Sequence, residues 1–122
     1  MLRPWPAELT FDRANRVLAV RFDDGAAAEL PFELLRVESP SAEVQGHGGQ
    51  RQIVPGKAMV NVRDALPVGR YAVRIVFDDG HESGIYTWDF LYALGQERDA
   101  RMAAYLAALA DLIERMPATG TR

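Results

Sequence analysis

The chain has 122 residues, the length of one domain, and it is 48% apolar and 25% charged,. The net charge of −3 leaves no basic surplus for nucleic acid or an anionic membrane surface,. Cysteine is absent, which excludes disulfides, thiolate metal ligands, cysteine-bound iron–sulfur clusters and cysteine nucleophiles,. Since we find no apolar stretch of signal-peptide or membrane-spanning length, we expect a cytoplasmic protein.

The first part of the chain predicts three strands and a short helix. In chain order they are strand 9–11, strand 17–22, strand 26–30 and helix 32–36. The second strand alternates most clearly, with Leu18, Val20 and Phe22 on one face. Asp24-Gly25, just before the third strand, indicates a type I′ hairpin turn with positive φ at both residues.

The polar segment 37–57 interrupts this pattern. It contains Ser-Pro-Ser at 39–41 and Gly-His-Gly-Gly at 46–49, a composition typical of a long loop,. A short strand is predicted within it at 51–54. The sequence leaves open whether the segment is ordered and whether it has a function.

The second part predicts three more strands and then helices. In chain order these elements are strand 58–62, strand 70–77, strand 81–86, helix 88–94 and helix 96–116, with a turn at 64–69. Asp79-Gly80 repeats the hairpin turn, Thr87 suits a helix N-cap and Gly95 suits a helix stop or bend. The last helix is amphipathic, with apolar residues three and four apart.

These elements predict an α+β fold of antiparallel hairpins, short helices and a C-terminal amphipathic helix. We expect one domain over 1–117 and a disordered tail at 118–122. The motif Phe-Asp-Asp-Gly occurs at 22–25 and again at 77–80, and both copies lead through a strand into a helix. Two interpretations are open: chance recurrence of a common turn, or a pseudo-repeat of strand, turn, strand and helix.

Three short patterns occur close together in the second half. They are Gly-Arg-Tyr at 69–71, Asp-Gly-His at 79–81 and Gly-Ile-Tyr-Thr-Trp at 84–88. Together with the region before them, they resemble a bacterial family of unknown function related to the N-terminal domain of gamma-butyrobetaine hydroxylase and trimethyllysine hydroxylase. The resemblance covers about residues 6–94.

The resemblance implies a small zinc-binding module with three cysteines and one histidine on the metal. His81 matches that histidine, whereas Ser39, Ser41 and Val44 fall on the cysteine positions. Hydroxyls are weak zinc ligands and valine has no donor atom, so we expect the zinc site to be lost and no cofactor to be bound. Relatives fused to iron–sulfur carrier ATPases imply a link to iron–sulfur or oxygenase proteins.

We therefore expect a non-catalytic interaction domain whose partner is another protein, with no binding of nucleic acid or membrane and with possible homodimerisation through the last helix. The candidate binding residues are His81, Asp79, Tyr86, Trp88 and Arg36. The alternative is a small metal-dependent enzyme or metal-binding protein centred on His81, with Asp78, Asp79 and Glu82 nearby and His47 as a further candidate.

Overall fold

The computed structural model describes residues 4–41 and 53–115. Within them, the elements run in the order β1 (Pro6–Asp12), β2 (Val17–Phe22), β3 (Ala27–Pro31), α1 (Phe32–Val37), β4 (Val62–Val68), β5 (Ala72–Phe77), β6 (Ile85–Thr87) and α2 (Trp88–Arg115). The strands form two antiparallel three-stranded sheets, ordered β1-β2-β3 and β4-β5-β6. The predicted α+β class is confirmed.

The central strand of each sheet supplies much of the core. The alternation predicted for β2 is confirmed, because Leu18, Val20 and Phe22 are all buried. β5 buries Val73, Ile75 and Phe77 in the same way. The core cluster joins them with residues of both helices and of the other strands, namely Leu30, Phe32, Leu34, Leu35, Tyr86, Leu91 and Leu94.

Both Asp-Asp-Gly turns differ from the predicted type I′ geometry. Among the described residues, Arg16 is the only non-glycine with positive φ, so neither Asp24 nor Asp79 has the positive φ that type I′ requires,. The turn has three residues, and the Phe22 amide donates to the Ala26 carbonyl at 2.8 Å. Within each turn only the glycine takes the left-handed conformation, with φ of 90° at Gly25 and 94° at Gly80,.

Two strand predictions in the second half have wrong boundaries. β4 begins at Val62, where the predicted strand 58–62 ends, and it runs through the predicted turn 64–69. Pro67 indicated a turn in the sequence. Proline is nevertheless tolerated in a strand at a sheet edge, which is where β4 lies,. β6 is confined to Ile85–Thr87, shorter than the predicted strand 81–86.

The C-terminal region is one continuous helix of 28 residues, and the predicted stop at Gly95 is wrong. A Cβ at Gly95 would lie 3.0 Å from the Ala28 Cβ, so the glycine lets α2 approach β3 closely. The predicted N-cap is confirmed, because the Phe90 amide donates to the Thr87 hydroxyl at 3.1 Å,.

The apolar stripe of α2 is only partly covered by the described residues. Tyr105 is buried, and its hydroxyl donates to Glu33 in α1 at 2.7 Å. Leu106 and Ile113 are 49% and 56% exposed. The stripe was expected to be covered either by the sheet or by a partner subunit, and the partner subunit stays a prediction for the exposed part. Met116, at the end of the predicted stripe, and the predicted tail lie outside the described residues.

The two halves of the chain have the same architecture, which confirms the pseudo-repeat. We call β1-β2-β3-α1 the first repeat and β4-β5-β6-α2 the second repeat. The pairing of the first two strands is irregular between Pro6 and Glu8 in one repeat and between Val62 and Asp64 in the other. The irregularity thus falls at equivalent positions.

Hydrogen bonds at the turns repeat as well. In the first repeat, the Asp23 amide donates to the Trp5 carbonyl at 2.8 Å, and the Trp5 amide donates to the Asp23 carboxylate at 3.1 Å. In the second repeat, Asp78 and Asn61 make the same reciprocal pair at 2.8 and 3.0 Å. The first aspartate of each motif therefore fixes the chain segment that enters its own sheet.

Candidate functional site

The second aspartate of the second turn lies at the centre of a charged group. One oxygen of Asp79 accepts the His81 amide at 3.0 Å. The other accepts Arg36 Nε at 2.8 Å and pairs with Lys57 Nζ at 2.6 Å. Burial alone would raise the pKa of Asp79, but the hydrogen bonds from Lys57, the His81 amide and Arg36 outweigh it and hold that pKa far below its usual range,.

The His81 side chain lies between two serine hydroxyls. Its Nε2 atom is 2.9 Å from the Ser39 Oγ and 3.4 Å from the Ser41 Oγ. All three residues are buried, and Ser39 has no exposed surface. Since a hydroxyl can donate or accept, a serine can satisfy the single proton or lone pair of Nε2 in either tautomer.

Tyr86 lies on the buried side of this group. Its hydroxyl donates to the Leu35 carbonyl at 2.5 Å, and the residue is fully buried. Burial raises the pKa of Tyr86 far above its usual range, although the Ser39 hydroxyl and the Arg36 charge act in the opposite direction,. The phenol therefore stays protonated. We call the whole set the polar cluster: Arg36, Ser39, Ser41, Lys57, Asp79, His81 and Tyr86.

A glycine makes room for the polar cluster. A Cβ on Gly84 would fall inside the contact distance of the Ser39 Oγ and 3.0 Å from the Tyr86 Cε1. Gly84 is also buried. A side chain at this position would therefore displace the serine that holds His81.

The structure brings together four of the five predicted binding residues, namely Arg36, Asp79, His81 and Tyr86. Trp88 lies elsewhere, where its Nε1 donates to the Arg70 carbonyl at 2.7 Å. Sequence reasoning missed Lys57, which lay in the predicted loop, and the spacing role of Gly84, for which the Gly-Ile-Tyr pattern was the available signal. Val44 lies outside the described residues.

The residues of the polar cluster do not fit a zinc ion. One imidazole with two hydroxyls offers a single good donor where a tetrahedral site needs four, and the Asp79 carboxylate is already paired with Arg36 and Lys57,. In the described part of the chain, no group of three or more His, Cys, Asp or Glu is arranged to hold a metal. The nearby carboxylates are also engaged, since Glu82 pairs with Arg74 at 3.1 Å and Asp78 accepts the Asn61 amide.

The equivalent turn of the first repeat is built differently. One oxygen of Asp24 accepts the Ala26 amide at 2.9 Å, just as Asp79 accepts that of His81. The other oxygen accepts the Tyr92 hydroxyl at 2.8 Å. Tyr92 is the fifth residue of α2, and Arg36 is the fifth residue of α1. Each turn is thus held by the helix of the other repeat.

Comparison with known proteins identifies the family. A family model described as gamma-butyrobetaine hydroxylase-like, N-terminal, matches residues 9–92. The chain belongs to this family. In this gamma-butyrobetaine hydroxylase-like domain the matched region includes every described residue of the polar cluster. None of its described helices has the length and apolarity needed to cross a membrane.

Solved structures of similar chains support the assignment. A crystal structure of a protein of unknown function from Acidithiobacillus ferrooxidans ATCC 23270, of the DUF971 family, is 43% identical, with a TM-score of 0.63 over 74% of this chain and 91% of that one. Two solution NMR structures are each 44% identical. Their TM-scores are 0.78 and 0.76. The matches span 90% and 88% of this chain and 83% and 85% of the respective solved chains. No curated protein matches the chain.

Proposed function

We propose that this domain is a non-catalytic, cytoplasmic interaction module in which the polar cluster stands in place of the zinc site implied by the resemblance. The observation that carries the proposal is the buried contact of His81 with Ser39 and Ser41. The two serines stand where the resemblance places cysteines. The cluster joins the end of α1 to the β5–β6 turn, a connection that a metal ion would otherwise provide.

The same contacts argue against chemistry at this site. Ser39 has no exposed surface, so its hydroxyl cannot reach a substrate. Asp79 is committed to two cations and one amide, and the Tyr86 phenol is held in its protonated form. The alternative of a metal-dependent enzyme centred on His81 therefore finds no support in the geometry.

Metal analysis tests this part of the proposal. Protein purified without a histidine tag should contain no stoichiometric zinc, and its Tm should not change with EDTA. The matched control is a variant with Ser39→Cys, Ser41→Cys and Val44→Cys, which supplies the ligand set that the resemblance implies. This variant should bind zinc and lose thermal stability with EDTA. Stoichiometric zinc in the wild-type protein would contradict the proposal.

The partner that we propose is another protein, linked through the resemblance to iron–sulfur or oxygenase systems. Tyr86 is fully buried and His81 is nearly so, and therefore neither side chain can contact a partner protein directly. Homodimerisation through α2 remains a prediction, supported by exposed Leu106 and Ile113. Sedimentation equilibrium of the wild type and of an L106E variant checks this prediction. A dimer formed through the exposed face of α2 would be present in the wild type and absent in the variant.

A further inference from the structure

Trp5 is held rigidly at the surface. Trp5 is 49% exposed, although its backbone amide and carbonyl are both hydrogen-bonded to Asp23. Pro4 and Pro6 flank it, and the proline rings restrict the backbone further,. A large aromatic side chain on a fixed backbone loses little conformational entropy on binding, which is a property of interface anchors.

Trp88 extends this surface by a ring contact, and Tyr71 adjoins it through the backbone. Trp88 meets Trp5 edge to face, with ring centroids 6.4 Å apart and an interplanar angle of 70°. The Trp88 Nε1 is satisfied by the Arg70 carbonyl, so the indole needs no further hydrogen-bond partner. Tyr71, whose carbonyl accepts the Trp88 amide at 3.1 Å, is 55% exposed.

The other repeat shows that the fold does not need an aromatic residue at the Trp5 position. The position equivalent to Trp5 is Asn61, which makes the same reciprocal hydrogen bonds with its aspartate. The bond from the Trp88 amide to Tyr71 is matched by a bond from the Phe32 amide to Arg16 at 2.8 Å. Since the same backbone arrangement forms around a polar side chain, the exposed indole points to a contact outside the chain.

The charge beside these rings specifies the chemistry of that contact. Asp23 and Asp24 are both exposed, and no described lysine or arginine, including Arg70, forms an ion pair with either. In the second repeat, by contrast, Asp79 is paired with two cations. Exposed carboxylates with no ion-pair partner among the described residues, one of them bonded to the Trp5 amide, favour a cationic group, which can also bind an indole face directly,.

We infer that this surface docks a segment of the partner protein that carries arginine or lysine. We call the surface the aromatic corner: Trp5, Tyr71, Trp88, Asp23 and Asp24. The inference rests on the proposed function as an interaction module, since it names the surface and the partner chemistry of that module. It uses residues outside the polar cluster and does not depend on the absence of zinc.

Site-specific photo-crosslinking in native cells separates this inference from the proposed function. A benzoylphenylalanine replaces Tyr71 in one strain and Ile113, on exposed α2, in a control strain. We expect Tyr71 to yield a crosslinked peptide that contains arginine or lysine beside the attachment point. Crosslinks from Ile113 alone, or from Tyr71 to an acidic or neutral segment, would overturn the inference and leave the module intact. No protein crosslink from either position would count against both.

A titration of the purified protein tests the charge directly. The chain has two tryptophans, both in the aromatic corner, so their indole N–H signals report on this surface alone. The probes are an acetylated Gly-Arg repeat peptide and the same peptide with uncharged citrulline. We expect the arginine peptide to shift both signals, and we expect the citrulline peptide to bind at least roughly threefold more weakly than the arginine peptide.

Matched variants complete that test. Asp23→Asn keeps an oxygen for the Trp5 amide but removes one charge, and it should weaken arginine-peptide binding roughly threefold. Asp111→Asn removes the same charge from the far end of α2, where Asp111 pairs with Arg115, and should leave the affinity unchanged. Equal binding of the two peptides, equal affinities of the two variants, or no shift of either indole signal would overturn the inference.

Discussion

Gly84→Ala tests whether the packing around Ser39 determines the stability of the domain. The added Cβ would overlap the Ser39 Oγ and would lie 3.0 Å from the Tyr86 Cε1. Ser39 cannot move into solvent because it is fully buried, and turning its hydroxyl away breaks the 2.9 Å contact with His81. Overpacking of a buried site of this kind costs about 1–3 kcal/mol of the free energy of unfolding.

A double-mutant cycle isolates the contact. Ser39→Ala alone should cost about 1–2 kcal/mol, because it removes the shorter of the two serine contacts to the buried His81 ring,. The double variant should be more stable than the sum of the two losses predicts, by about 1 kcal/mol, since the alanine at 39 has no Oγ for the new methyl to strike. Urea unfolding measures all four proteins.

A control and a clear refutation are available. Gly95→Ala, at which a Cβ would meet only the Ala28 methyl, should cost less than Gly84→Ala and should show no coupling to Ser39→Ala. The reasoning fails if Gly84→Ala costs less than about 0.5 kcal/mol or if the losses of the two single variants simply add.

Three further predictions concern the same framework. Asp79→Asn should lower the free energy of unfolding by about 2 kcal/mol at pH 7. Because folding lowers the pKa of Asp79, this stabilisation is fully present above the unfolded pKa of about 4 and is lost progressively as the pH falls toward the folded pKa,. Urea titrations from pH 6 to pH 2 should therefore show the stability difference between wild type and variant shrinking. Tyr86→Phe should cost about 1–2 kcal/mol in the same assay, because the Leu35 carbonyl loses its buried donor; an unchanged midpoint would show that water replaces the hydroxyl,. Leu109→Ala should cost about 1–2 kcal/mol, less than a core leucine, because Leu109 is only half-buried; a loss above about 3 kcal/mol would contradict this partial exposure,.

Local patterns were sufficient where one residue follows the next in a regular period. The strand at 17–22 has its predicted bounds, and the helix after Thr87 begins where its cap predicts. The turns were harder, because the two-residue interpretation of Asp24-Gly25 overlooked the part of Asp23. Gly95 was taken for a helix end because its close contact with β3 is a tertiary fact that no local pattern contains.

The polar cluster shows a similar division. His81 and Ser39 were associated through the family resemblance rather than through any period in the sequence. Arg36 and Asp79 were both selected, but their 2.8 Å contact joins residues far apart in the chain. Lys57 was missed because a single lysine in a polar segment has no distinguishing neighbours. Contacts between elements decide which charges meet, and one sequence does not encode them in any local pattern.

The crossing of the helices between repeats has a consequence for the origin of the fold. Ser39, just beyond α1, contacts Gly84 of the second repeat, and Gly95 of α2 contacts Ala28 of the first. Two separate, identical half-chains that associated about a two-fold axis would make the same exchange, and each would depend on its twin for a complete core. Such an ancestral homodimer would have carried two identical turns. Under such an origin, fusion into one chain would leave each turn free to change alone, and the present turns do differ at the next residue, which is buried His81 in one and Ala26 in the other.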